Sequence, residues 1–363
     1  MKAILLITKN IIKDPRGGRE KLNQNIKNSL ENLSVKFNFS VETYEISNAK
    51  ISIFRKIYHF LIGLSDGLTL SKCNEIEKII NSKKINIVII DGSNYGLLAK
   101  LIKKKNPNLR LITFYHNVET EFFYQKFKSD LKLKSFLVFL SMFRAEKLSS
   151  KYSDNRVCLN NRDSKILFRW FRFKATNIIP IFLNLPATKF ETNYKNDKTQ
   201  ILFVGGQFFG NLLGIKWFVE HVVNQIQHEL VIVGKNMDIY KNEFESYKNV
   251  RVFGEQKSLH QLYQDSLVTI APIFHGSGMK TKIAESLMFG RKIVGTKEAF
   301  VGYEKDIENI GWECNTDKEF IDILNYEYLE PSDESNKLLK KIFLENYSTQ
   351  AFEKNILELF NLK

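Results

Sequence analysis

Residues 267–304, LVTIAPIFHGSGMKTKIAESLMFGRKIVGTKEAFVGYE, constrain the fold more tightly than any other stretch of the chain. Leu267–Pro272 is a short apolar run of strand length, suited to burial on both faces. His275-Gly276-Ser277-Gly278 follows with two glycines, so the backbone can turn sharply and approach a ligand closely. From Met279 to Phe289 the apolar residues Ile283, Leu287 and Met288 fall on one helical stripe, and Gly290 ends it. Ile293-Val294-Gly295 reads as a second buried strand. Strand, glycine turn, helix, strand is the repeating unit of a parallel α/β sheet.

The same stretch has chemistry built into it. A glycine turn before a helix presents backbone N–H groups and the positive end of the helix dipole, which suits a phosphate or diphosphate. Lys280 and Lys282 add positive charge, and Glu285 follows about one turn later, where a carboxylate can accept from ribose hydroxyls. Taken alone the turn is weak evidence, because any α/β protein places glycine turns before helices.

The rest of the chain repeats the α/β pattern. Strands are expected at Ala3–Thr8, Phe39–Ile46, Lys84–Asp91, Leu111–Tyr115, Arg156–Leu159, Gln200–Gly205, Glu229–Gly234 and Val250–Gly254. Helices are expected over Glu20–Asn32, over 122–147, at Leu259–Asp265 and over Ser348–Leu362. The polar, proline-containing stretch 184–199 reads as a linker between two domains, which a chain of 363 residues can accommodate. The first strand runs into a Pro15-Arg16-Gly17-Gly18 loop, and the fourth runs into His116-Asn117-Val118-Glu119. A histidine at the carboxyl end of a strand is where an α/β sheet displays chemistry, although a lone histidine is more often structural.

Composition excludes several classes. Cys73, Cys158 and Cys314 are far apart, which argues for a reducing compartment and against a zinc site or disulfide scaffold. The histidines show no metal-ligand spacing, and there is no Asp-x-Asp pair. The opening apolar run, Ala3–Ile7, is too short for a signal peptide, and no stretch has the ~18 apolar residues of a membrane span. A cytoplasmic protein is expected, one that touches membranes only peripherally.

Charge is unevenly spread. Residues 1–180 carry 33 Lys and Arg against 15 Asp and Glu, a net +18, whereas residues 181–363 carry 21 against 25, a net −4. An anionic partner is expected on the first half: a membrane surface, a lipid phosphate or nucleic acid. No nucleic-acid-binding motif accompanies the charge. Two stretches, 53–64 and 165–174, mix cations with aromatics. The helix over 122–147 reads either as a core helix with a solvated edge or as a basic, aromatic face on anionic lipid, with Lys126, Lys128, Lys132 and Lys134 toward the headgroups.

The string Pro272, Gly276, Gly278, Lys282, Glu285, Gly290, Thr296, Ala299 and Gly302 resembles the signature of the group 1 (family 4-like) glycosyltransferases, and FYHNVETEFF at 114–123 resembles their His-Asn-x-Glu stretch. The strand, Gly206, Asn211 and the aromatic pair Trp217-Phe218 follow the same pattern. The resemblance is strongest over 201–304. Two departures stand out. Ser277 occupies a position where many members have a second glutamate that touches the donor sugar. The 205–214 loop, GGQFFGNLLG, lacks the Arg and Lys with which many relatives grip the diphosphate.

The resemblance implies a GT-B fold: an α/β chain of two Rossmann-like domains facing across a cleft. It implies an acceptor-binding domain at 1–184, a nucleotide-sugar-binding domain at 185–345, and a C-terminal helix at 346–363 crossing back to the first. The implied activity is a retaining, metal-independent transfer of a hexosyl group from a UDP- or GDP-linked sugar to a lipid-linked glycan in bacterial surface polysaccharide synthesis. No cofactor is expected; the nucleotide sugar is the substrate. The implied catalytic residues are His116 and Lys282. The implied donor site comprises Gly17, Gly18, Gly206, Lys235, Phe253, Gly254, Gly276, Ser277, Gly278, Met279, Lys280, Lys282 and Glu285, with Glu285 on the ribose and Phe253-Gly254 beside the base. The expected partners are the nucleotide sugar, the glycan acceptor and an anionic membrane surface, with no nucleic acid. The departures leave a catalytically silent subunit that supports a partner transferase, or a sugar-nucleotide epimerase, as alternatives.

Overall fold

The computed structural model describes residues 2–9, 18–47, 60, 63, 64, 66–185, 200–326, 329 and 332–362. The Pro15-Arg16-Gly17 loop, most of 53–64 and most of the polar stretch 184–199 lie outside the described residues. The chain divides into two compact units. One comprises residues 1–180 with 352–363, the other 181–351.

Each unit is built on a six-stranded sheet among the described residues, with every pairing parallel. The first unit holds β1 (Ala3–Lys9), β2 (Ser40–Ile46), β3 (Ile87–Asp91), β4 (Arg110–Tyr115), β5 (Asn155–Cys158) and β6 (Asn177–Ile178), in the order β2-β1-β3-β4-β5-β6. Its helices are α1 (Gly18–Phe37), α2 (Leu70–Ser82), α3 (Gly96–Lys105), α4 (Glu119–Asp130), α5 (Leu133–Tyr152) and α6 (Asn161–Phe171). The central strands are apolar on both faces because helices cover both. Leu5, Ile7, Val88 and Ile90 pack with Ile76, Ile80, Leu98 and Ile102 of α2 and α3.

The second unit holds β7 (Gln200–Val204), β8 (Glu229–Val233), β9 (Val250–Phe253), β10 (Ser266–Ala271), β11 (Ile293–Gly295) and β12 (Gly311–Glu313). Its longer helices are α7 (Phe209–His221), α8 (His260–Asp265), α9 (Thr281–Met288), α10 (Asp317–Leu324) and α11 (Asp333–Asn346). The sheet order is β9-β8-β7-β10-β11-β12, a doubly wound arrangement whose order reverses between β7 and β10. Ile201 and Phe203 join the core under α7 and α10 with Phe218 and Phe320, while Leu202 on the opposite face packs with Val231, Val233 and Tyr263.

The last helix, α12 (Thr349–Phe360), belongs from Phe352 onward with the first unit. Phe352 meets Phe114 with ring centroids 6.5 Å apart, and Phe360 meets Phe39 edge-on at 6.2 Å. Glu353 pairs with Lys36 at 3.6 Å. No described helix is long and apolar enough to cross a membrane.

The single helix expected over 122–147 is two helices, α4 and α5, joined at Leu131 in the left-handed conformation (φ 49°). The break follows from Asp130. Its carboxylate accepts from the Lys132 N–H (3.1 Å) and from Ser135 Oγ (2.6 Å), a local alternative to helix continuation. The aromatic side chains of this region turn toward one another. Tyr124, Phe139 and Phe143 pack against Trp170 of α6 at centroid distances of 5.3, 5.8 and 6.1 Å. Lys126, Lys128, Lys132 and Lys134 are exposed.

Candidate functional site

Ligands of a doubly wound sheet bind beyond the carboxyl ends of the strands where the strand order reverses. In the second unit that point is flanked by Gly205-Gly206 after β7 and by 272–280 after β10. Close backbone packing assembles it. A Cβ on Gly214 would fall 1.6 Å from Pro272 O, and one on Gly210 would fall 2.4 Å from His275 O. Helix α7 therefore lies directly on the strand that feeds the glycine turn. From β8, Gly234 crosses Gly205 so closely that a Cβ would sit 2.2 Å from Gly205 O. The Gln207 N–H donates to Lys235 O (2.9 Å).

Asn211, on the first turn of α7, links the two loops. Its Nδ2 donates to Gly206 O (3.0 Å), and its Oδ1 accepts from Lys282 Nζ (2.9 Å). Lys282 also lies 4.2 Å from the centroid of the Phe203 ring. Burial pushes the Lys282 amine down to about 7; the Lys280 charge pushes the same way and Glu285 opposes both. An amine held near neutrality by desolvation gains most when an anion arrives to offset it.

One turn along α9, Glu285 Oε2 accepts from Tyr263 OH (3.2 Å). Tyr263 is fully buried and stacked on Phe289 at 4.4 Å, so its hydroxyl is firmly placed. Burial and the neighbouring Glu285 charge hold the Tyr263 phenol well above its ordinary range.

The turn itself is fastened from behind. Gly278 has φ +63°, which a side chain would strain. Lys280 is engaged with the turn and with the segment after β11. Its Nζ donates to Gly278 O (2.9 Å) and pairs with Glu298 at 2.8 Å. Tyr303 OH donates to Lys280 O (3.0 Å), and Thr296 Oγ1 donates to Ile273 O. Met279 is buried against Gly302, while Gly276 is exposed and Ser277 half-buried.

Gly206, Gly276, Ser277, Gly278, Met279, Lys280, Lys282 and Glu285 therefore lie on the segments that converge at this point. Lys235 is exposed at the end of β8. Phe253, 36% exposed, and Gly254 end the outer strand β9, where a Gly254 Cβ would meet Asp238 at 3.0 Å. Gly18 is the first residue of α1, and Gly17 lies outside the described residues.

The first unit has a polar cluster of its own at the carboxyl ends of β1, β3 and β4. His116 Nε2 donates to Asp91 Oδ1 (2.5 Å), and Thr8 Oγ1 donates to Asp91 Oδ2 (2.7 Å). Asp91 is fully buried, and His116 Nδ1 is buried with no hydrogen-bond partner. Behind it, the fully buried Glu146 of α5 accepts from Ser93 Oγ (2.7 Å) and from the N–H groups of Glu119 (2.9 Å) and Thr120 (2.8 Å). It ties the loop after β3 to the start of α4. Burial pushes the Glu146 carboxyl up to about 7 against these donors. Sequence reasoning missed Glu146, whose signal was an acid among Ser141, Ala145, Ser149 and Ser150 on one side of a helix. Nothing in the sequence sets Asp91 and Tyr263 apart from the strand and helix that hold them.

Residues 198–319 match the family of group 1 glycosyl transferases. Several solved structures share the whole fold. Sucrose-phosphate synthase from Thermosynechococcus elongatus superposes with a TM-score of 0.73 at 14% identity, covering 99% of this chain and 98% of that one. A glycosyltransferase from Rickettsia africae gives 0.64 at 13% identity, covering 99% and 98%. HepE from Anabaena, solved in complex with UDP and glucose, gives 0.62 at 11% identity, covering 99% and 100%. No curated protein matches the chain. The chain thus carries a group 1 glycosyltransferase domain at residues 198–319, within a two-domain α/β chain of the GT-B fold.

Proposed function

We propose that this glycosyltransferase takes a nucleotide diphosphate sugar as donor and transfers the sugar with its anomeric configuration retained. The observation that carries the reading is the Lys282–Asn211 contact, which sets a desolvated amine beside the Gly205-Gly206 loop where the strand order reverses. A diphosphate leaving group develops negative charge as the glycosidic bond breaks. Lys282 and the N–H groups of Gly276–Gly278 stabilise that charge without reorganising. Glu285, oriented by Tyr263, accepts from the ribose. Lys235, Phe253 and Gly254 extend the donor site toward the base. The UDP and glucose bound by the HepE neighbour support a nucleotide sugar of this kind.

The acceptor belongs to the first unit, with His116 and the Gly17-Gly18 loop. The net charge of +18 over residues 1–180 favours a phosphate-bearing acceptor, a lipid-linked glycan of bacterial surface polysaccharide synthesis, met at an anionic membrane surface. A catalytically silent subunit is the second reading. Ser277 in place of a glutamate favours it, as do Phe208 and Phe209, which stand 59% and 67% exposed at the start of α7.

The test is to incubate the chain with UDP- and GDP-linked hexoses and follow nucleoside diphosphate release, with the product anomer read by NMR. Release with retention, lost in Lys282→Ala, supports transfer. An epimerised donor without diphosphate release points to an epimerase. No turnover with any donor or acceptor leaves the silent subunit.

A further inference from the structure

Helix α5 buries small and polar residues on one face and packs Phe139 and Phe143 against Trp170, yet leaves a row of leucines exposed, where an ordinary surface helix buries its large apolar residues. Ser135, Ser141, Ala145 and Ser149 face inward. Leu133, Leu137 and Leu140 face outward, 73%, 42% and 37% exposed, and Leu131 in the preceding turn is 75% exposed. The inward face is small because α3 lies directly on it: a Cβ on Gly96 would come within 1.8 Å of Ala145 O. Packing therefore explains the serines. Among the described residues nothing covers the leucines, which stay 37–75% exposed.

The outward residues follow helical spacing, with Leu133, Leu137 and Leu140 giving way to Arg144 and Lys147 on the same face. Lys126, Lys128, Lys132 and Lys134 surround the tip of the hairpin, all exposed. Asp130, the acid at the tip, has its carboxylate taken up by Ser135 and the Lys132 N–H. An apolar stripe rimmed by cations, with the nearby carboxylate satisfied internally, complements an anionic lipid surface: leucines at the acyl boundary and ammonium groups among the headgroups.

We propose that the α4–α5 hairpin is a membrane-docking element that inserts Leu131, Leu133, Leu137 and Leu140 into the interface of an anionic bilayer. It deepens the membrane partner named above and rests on that reading for its link to the acceptor. The leucine stripe itself stands independently of the donor assignment.

The test is sedimentation of the full chain with phosphatidylcholine vesicles, with and without phosphatidylglycerol. The wild type is expected to bind only the anionic vesicles, less tightly as salt rises. The triple variant Leu133→Ser, Leu137→Ser, Leu140→Ser is expected to weaken the partition roughly tenfold per leucine. Lys132→Ala and Lys134→Ala each weaken it roughly fivefold. Because all of these side chains are exposed, the variants should fold, and melting in the presence of nucleotide diphosphates should match the wild type. A wild type that ignores anionic vesicles, or a triple variant that binds them as tightly, overturns the proposal. A dimer abolished by the leucine substitutions, with no vesicle binding, also overturns it, because a second copy then covers the face. A donor panel that fails while vesicle binding holds counts against the donor reading alone.

Discussion

Lys282 Nζ donates to Asn211 Oδ1 at 2.9 Å, so the first turn of α9 is held to the first turn of α7 across the point where the sheet reverses. The same asparagine donates to Gly206 O at 3.0 Å. One side chain thereby sets the distance between the loop after β7 and the amine assigned to the leaving diphosphate. Asn211→Ala is expected to raise the donor KM and lower kcat together, with a loss of about 1–3 kcal/mol in transition-state stabilisation, the cost of leaving a buried donor unsatisfied. Steady-state kinetics of the variant check this.

Lys282→Ala is expected to lower turnover by ~10²–10³, the scale for one lost charge-stabilising donor. A single-turnover measurement at saturating donor separates this loss from weakened binding.

The Lys282 amine also gives a pH signature. Its folded value is lowered from 10.5 to about 7. Between those values the unfolded chain carries the proton and the folded chain does not, so this position's contribution to stability rises with pH across the window. Below about 7 both states are charged, and the cost of burying the ammonium is present in full. Lys282→Met is therefore expected to raise Tm relative to wild type at about pH 6, with the gain shrinking toward about pH 10. Melts of both proteins across the range test the sign.

Glycine substitutions divide sharply by what stands behind them. Gly214→Ala places a methyl 1.6 Å from Pro272 O, a backbone atom that cannot yield without moving β10. A loss of several kcal/mol or insoluble protein is expected, on the scale of overpacking and beyond, ~1–3 kcal/mol or more. Gly276→Ala meets the flexible ends of two side chains, Lys280 at 3.2 Å and Glu298 at 3.7 Å. It is expected to fold with near wild-type Tm and to lose donor affinity. Circular dichroism melts and donor titrations distinguish the two.

Glu146 is a positioning residue in the first unit. Glu146→Gln keeps one acceptor but turns an N–H₂ toward backbone donors at the start of α4, with an expected loss of about 1–3 kcal/mol in stability. Its carboxyl is raised from 4.5 to about 7, so its contribution is fully present below 4.5 and is lost as pH rises through about 7. The Tm difference between wild type and variant should therefore be larger at about pH 5 than at about pH 8.

Ten of the twelve described strands were legible because buried parallel strands are continuous apolar runs, as in Ile87–Asp91 and Glu229–Val233; β6 and β12, two and three residues long and only partly buried, carry no such run. The glycine turn and α9 were legible for the same reason, and the match over 198–319 agrees with the resemblance read from them. The break at Leu131 was not, because the apolar period runs on through Ser129-Asp130 and only the Asp130 side-chain bonds stop the helix. Nor was the role of Lys280 visible: its partner Glu298 lies beyond the next strand, and an ion pair across that gap leaves no periodic trace. Glu146 was hidden in the same way, since its donors come from two loops distant in the chain. Local periodicity reports elements, whereas side-chain partners set by the fold report the site.

The central claim is a nucleotide diphosphate site in the second unit. The most direct measurement is a thermal-shift panel of UDP-, GDP-, ADP- and CDP-linked sugars on the wild type and on Glu285→Ala. A ligand at 100 times its dissociation constant stabilises by ~2.7 kcal/mol, well within reach of a melt. Stabilisation of the wild type by one nucleotide, lost in Glu285→Ala, is the expected result. A wild type that no nucleotide sugar stabilises, or a Glu285→Ala variant stabilised equally well, contradicts the claim.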